Sequence, residues 1–114
     1  MEKRRVVITG MGTVNPIGNS VAESWQAAKD GKCGIGPITR YDCSNMRVKL
    51  AGEVKDLDID GVLGKREAKK MDRFTQFALI AAQQAMDDSG LDREREDLSR
   101  CGVICSSGIG GFET

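Results

Sequence analysis

The chain has 114 residues, 39% of them hydrophobic and 30% charged, which leaves room for at most one globular domain with a modest core. Seventeen lysines and arginines balance seventeen aspartates and glutamates, and there is no histidine. A formal net charge of zero argues against a dedicated nucleic-acid binder. No apolar run approaches the roughly 20 residues that cross a bilayer, and Met1-Glu2-Lys3-Arg4-Arg5 does not lead into a signal-peptide core, so the cytoplasm is the expected location.

The first element expected is a strand, Arg4-Arg5-Val6-Val7-Ile8-Thr9, whose β-branched run suits burial on both faces of a parallel sheet. A loop rich in turn formers follows from Gly10 to Asn19. Ser20-Val21-Ala22-Glu23 then fits a capping box, with Val21, Trp25 and Ala28 at helical spacing and Gly31 as the stop. From Lys32 to Leu63 the pattern is weak, and Val48 to Val54 reads as an edge strand or a covering loop. A long helix is expected from Arg66 to Ser89, with Met71, Phe74, Ala78, Ala81 and Ala85 on its apolar face, widened by Phe77, Ile80 and Met86. Gly90-Leu91 ends it. Asp92 to Arg100 reads as a solvated connector, and Cys101-Gly102-Val103-Ile104-Cys105 as a second buried strand. It leads into Ser106-Ser107-Gly108-Ile109-Gly110-Gly111 and then Phe112-Glu113-Thr114. Strand, helix, irregular region, long helix, strand is the order of a parallel α/β unit with a right-handed crossover.

Three motifs invite a functional reading. Gly10-Met11-Gly12 suggests a dinucleotide loop, but Asn15 stands at the third glycine position, the helix is not capped until Ser20, and Pro16 lacks an amide donor. A structural turn is favoured. Lys65, Arg66, Lys69, Lys70 and Arg73 fall mostly on one side of the expected helix. Against them stand Glu67 and Asp72, a local charge of +3. They form either a solvated face or a docking patch for an acidic partner; cations near a helix amino terminus oppose its dipole, which weakens a purely stabilising role. In the last loop Ile109 sits among glycines, as a core plug or as a lid on an apolar pocket; the pattern alone favours the plug.

Catalysis by these residues alone is not expected. A serine or cysteine nucleophile needs a neighbouring base, most often histidine, and no Gly-x-Ser-x-Gly or Ser-x-x-Lys occurs. Cys33, Cys43, Cys101 and Cys105 form no CxxC pair. On a shared strand, Cys101 and Cys105 would lie about 13 Å apart, too far to bond or to share a metal, so reduced structural cysteines and no metal or cofactor are expected.

Taken together, Arg4 to Gly12, Asn15-Pro16-Ile17-Gly18, Trp25, Lys69-Lys70-Met71-Asp72-Arg73-Phe74, Asp88-Ser89-Gly90-Leu91 and Ser107-Gly108-Ile109-Gly110-Gly111 resemble the amino-terminal part of an elongating (type II) β-ketoacyl-acyl-carrier-protein synthase. The resemblance covers residues 1–114 and implies an α/β chain that is one part of a thiolase-like, layered α-β-α-β-α fold with a parallel or mixed sheet and crossover helices. It implies an acyltransferase of fatty acid biosynthesis. The acyl chain passes from acyl-carrier protein to a cysteine and is then joined to malonyl-carrier protein with loss of carbon dioxide. The catalytic cysteine, two histidines and supporting lysine would all follow Thr114. Under this resemblance Arg66, Lys69 and Lys70 become contacts for the acidic carrier protein, with Lys65 and Arg73 beside them. Gly108 and Ile109 become the end of the acyl pocket, with Ile109 swinging to admit longer chains. Cys105 matches a buried strand position, and Ser106 departs from a common glycine. The complete protein is expected to be a homodimer. The alternative is a non-catalytic, chain-length-factor-like partner of a condensing enzyme, which keeps the fold and lacks the cysteine.

Overall fold

A computed structural model describes residues 3–111; the expected run through Phe112 to Thr114 lies outside them. Four α-helices and one short hairpin follow one another: α1 (Val21–Lys29), β1 (Ile35–Pro37), β2 (Leu50–Gly52), α2 (Ile59–Leu63), α3 (Lys65–Ala68) and α4 (Arg73–Ser89), with a single 3-10 turn at Leu98–Arg100.

α1 begins as its capping box requires. Ser20 Oγ accepts from the Glu23 amide at 3.2 Å, and the Glu23 carboxylate reaches back to the Asn19 amide at 2.8 Å. At the other end Gly31 takes φ 67°, its amide donating to Ala28 and that of Lys32 to Ala27, which satisfies the last carbonyls as a Schellman turn does. The buried face differs from the expected one. Ala27 is buried and Val21 and Ser24 half-buried, whereas Trp25 (65% exposed) and Ala28 face outward. The cause is polar: Ser24 Oγ accepts from Asn15 Nδ2 at 2.7 Å, turning that side of α1 toward the preceding loop.

α4 is the longest element, and Gly90 ends it at φ 64° as expected. Ile80 is 2% exposed, and Phe77, Ala78, Ala81, Ala85 and Met86 are half-buried. Along α4 lies the loop that opens the chain. β-Carbons on Gly10 and Gly12 would collide with the helix backbone at Ala85 and Ala81, so glycine is what permits this approach. Two side chains of α4 hold the loop: Asp88 Oδ2 accepts from the Met11 amide at 2.9 Å, and Gln84 Oε1 from the Thr13 amide at 3.1 Å. Gln84 Nε2 also donates to the Asn19 carbonyl at 2.7 Å. The glycines are therefore packing devices, in keeping with the structural-turn reading.

β1 and β2 pair antiparallel, Gly36 opposite Ala51, so of the Val48–Val54 segment Leu50–Gly52 is a strand. Asp92–Arg100 is exposed throughout, with one loose Asp92–Arg95 ion pair at 3.7 Å.

Other expectations fail as well. Neither Arg4–Thr9 nor Cys101–Cys105 is a strand, because an extended run is stabilised by ladder partners and the described residues offer it none. Val6 is 91% and Ile104 98% exposed. The sheet observed is accordingly a two-stranded antiparallel one, with no parallel pair among the described residues. Cys33, Cys101 and Cys105 are exposed and Cys43 half-buried; all four are free thiols, but they are not buried ones. Finally, the expected helix from Arg66 to Ser89 is broken between Ala68 and Arg73. Gln76 Nε2 captures the Ala68 carbonyl at 2.7 Å and that of Met71 at 3.4 Å, while Asp72 is extended.

Only Ala27, Ala68 and Ile80 are buried hydrophobics among the described residues. The radius of gyration, 17.4 Å, exceeds the roughly 13 Å of a compact chain this long. With Val6-Val7-Ile8 and Val103-Ile104 bare, the 114-residue chain alone is expected to self-associate. Light scattering should show particles larger than a monomer, and Val7→Lys with Ile104→Lys should shrink them. A soluble wild-type monomer with one sharp unfolding transition would contradict this.

Candidate functional site

The basic segment lies where α3 turns into α4. Lys65, Arg66, Lys69 and Lys70 are exposed, whereas Arg73 is half-buried. The break in the helix sorts these cations into different roles. Lys69 is the C-cap of α3, so only Arg73 stands at the start of a long helix. Its guanidinium carbon lies 5.0 Å from the centre of the Phe77 ring, with Nη2 3.5 Å from the Val54 carbonyl, so its charge is directed at the protein. Lys70 Nζ pairs with Glu67 at 2.8 Å, an exposed contact of little energetic weight. Lys65, Arg66 and Lys69 are the remaining outward cations of this group.

The glycine-rich loop sits on the same spot. Gly110 takes φ 91°, and its amide donates to Ser107 Oγ at 3.1 Å, closing a small turn. A β-carbon on Gly110 would lie 3.7 Å from the Phe74 ring, and one on Gly111 would collide with the Asp72 carboxylate. Ile109 is held out at 78% exposure, and Gly108 is exposed too. Ile109 is therefore not a core plug among the described residues. The basic patch and the glycine-rich loop, read as separate motifs, meet at the amino terminus of α4.

Asp72 and Phe74 were missed as site residues. Asp72 counted only as an opposing charge, although an aspartate just before an apolar periodic run is an N-cap signal that would also have marked the helix break.

Behind this junction, Val14, Pro16, Thr39, Glu53, Arg73 and Phe77 line an open cleft of about 480 Å³. The Thr39 hydroxyl, at 2.7 Å, and its amide donate to Glu53 and hold that carboxyl below the ordinary carboxylate range. Among the described residues no three His, Cys, Asp or Glu gather as a metal site, and no helix is long and apolar enough to cross a membrane. Exposed cations, a displayed isoleucine and an open cleft are features that can bind and orient a partner.

Known proteins resemble this chain. The family profile described as "Beta-ketoacyl synthase, N-terminal domain" matches residues 3–114. The chain is 50% identical over 112 residues to 3-oxoacyl-(acyl-carrier-protein) synthase 2 of Coxiella burnetii, covering 98% of this chain and 27% of that protein. It is 46% identical over 113 residues to the protein of the same name from Synechocystis sp., covering 99% and 27%. Among solved structures, the ishigamide ketosynthase/chain length factor superposes with a TM-score of 0.73 at 35% identity, over 82% of this chain and 23% of that one. The chain thus spans about a quarter of the length of the curated relatives it matches. With the family profile running through all but two of its residues, the chain belongs to the β-ketoacyl synthase family, as an amino-terminal domain sequence.

Proposed function

We propose that the chain is the amino-terminal segment of an elongating 3-oxoacyl-acyl-carrier-protein synthase, a cytoplasmic homodimer of the layered thiolase-like kind. The observation that carries this reading is the meeting of exposed cations and a glycine-flanked apolar side chain at one junction, in a sequence 46–50% identical to such synthases. Lys65, Arg66 and Lys69, with Lys70, receive the acidic carrier protein in its acyl- and malonyl-loaded forms. Gly108 and Ile109 close one end of the acyl pocket. The cysteine that takes the acyl group, and the histidines that support decarboxylation and attack of the malonyl carbon on the thioester, belong to the part of the relatives beyond this segment. Charge complementarity makes the patch a steering surface, so its effect falls with salt. Arg73, stacked on Phe77, serves the fold more than the partner.

A chain-length-factor-like partner is the second reading, favoured by the observation that one of the solved structures it resembles is a ketosynthase/chain length factor. A cysteine at the nucleophile position of the complete protein separates the two.

In the complete protein, Arg66→Glu with Lys69→Glu is expected to raise the carrier-protein Kd about tenfold, some 1.4 kcal/mol. Isothermal titration at low salt checks this, and an unchanged Kd would remove the docking assignment. Ile109→Phe should shorten the acyl chains accepted, read by mass spectrometry of products; an unaltered profile would count against the pocket role. Size-exclusion with light scattering should give a dimer mass for the complete protein, and a monomer at working concentration would overturn that part.

A further inference from the structure

Asp72 stands between the two motifs and behaves unlike an ordinary N-cap. It has the extended backbone of one (φ −65°, ψ 154°), yet its carboxylate makes no capping hydrogen bond to α4. Such a bond ordinarily contributes about 1 kcal/mol to a helix. The carboxylate instead occupies the place where a Gly111 β-carbon would be, with Phe74 supporting Gly110 alongside. Lys69 and Lys70 lie three and two residues before Asp72, with Met71 between. Gln76 ties the Ala68 and Met71 carbonyls, on either side of the two lysines, to α4 at 2.7 and 3.4 Å.

We propose that Asp72 is a positioning residue with two seats, one against Gly111 and one on the free amides of the first turn of α4. Which seat it takes links occupancy of the basic turn to the placement of Ile109. The partner's identity rests on the docking reading above; the two-seat geometry does not. A partner that engages Lys69 and Lys70 shifts the seats only as far as it binds one arrangement more tightly than the other. With the carboxylate capping α4, Gly111 loses its backing and the loop that carries Ile109 is released.

The test uses the complete protein and acyl-carrier protein as the probe, with hydrogen exchange of the 107–111 amides followed in the free and saturated states. Saturation is expected to change their exchange by roughly threefold or more. Asp72→Ala should still bind the carrier protein within about twofold but lose the loop response, while Asp72→Asn, an equally good N-cap, should retain it. Gly111→Ala attacks the same contact from the loop side and should set the unliganded loop near its partner-bound exchange rate, so the test does not depend on one variant folding. The proposal is overturned if the saturated wild-type loop exchanges as the free one does, or if Asp72→Ala responds as wild type. Failure of the docking reading is seen separately, as an unchanged Kd in the Arg66→Glu, Lys69→Glu variant.

Discussion

The seating of Gly10–Thr13 on α4 fixes nearly everything else in the chain. Two backbone amides of the loop are held by Gln84 and Asp88, and two glycines remove the β-carbons that would keep the strands of backbone apart. From that seam the Asn15 turn is aimed at α1, through bonds to Thr13 and Ser24. Pro16 is placed under the hairpin, where β-carbons on Gly34 and Gly52 would touch it. The core is too small for burial to orient these parts alone, since two of its three buried apolar side chains are alanines and only Ile80 is large. Polar side chains reaching backbone amides supply the specificity that packing lacks here.

Local chemistry was legible in the sequence wherever its cause was local. The Ser20–Glu23 cap, the Gly31 and Gly90 stops and the apolar face of α4 follow from residues within a turn or two of each other. The strands expected at Arg4–Thr9 and Cys101–Cys105 do not form, since Val6-Val7-Ile8 records a preference for burial without saying who provides the partner. The break at 69–72 is marked in the sequence only by Asp72 at the N-cap position, while Gln76, which captures the freed carbonyls, has no such role in a periodicity argument. The orientation of α1 was misjudged for the same kind of reason: Trp25 outweighs Ser24 in any hydrophobic count, yet Asn15 pulls Ser24 inward.

At the junction, five cations that look equivalent in sequence are made unequal by their neighbours. A ring face takes Arg73 and a carboxylate takes Lys70. Such sorting confines a steering field to a smaller area than composition suggests, which narrows the approaches open to an acidic surface. Ile109 stands beside that area because both motifs abut the first residues of α4. Their closeness is a property of the tertiary fold; nothing in their separation along the chain suggests it.

The seam also has a consequence in time. Its two anchoring bonds span 77 and 71 residues, so the amino-terminal loop has no seat until α4 has been made. At about 5–20 residues per second, synthesis leaves Gly10–Thr13 waiting for several seconds. Closing so long a loop is entropically unfavourable before any contact rewards it. The Val6-Val7-Ile8 run that precedes the loop stays exposed even with the seam closed. An apolar run that the seam does not cover is open to a chaperone both before and after the seam closes.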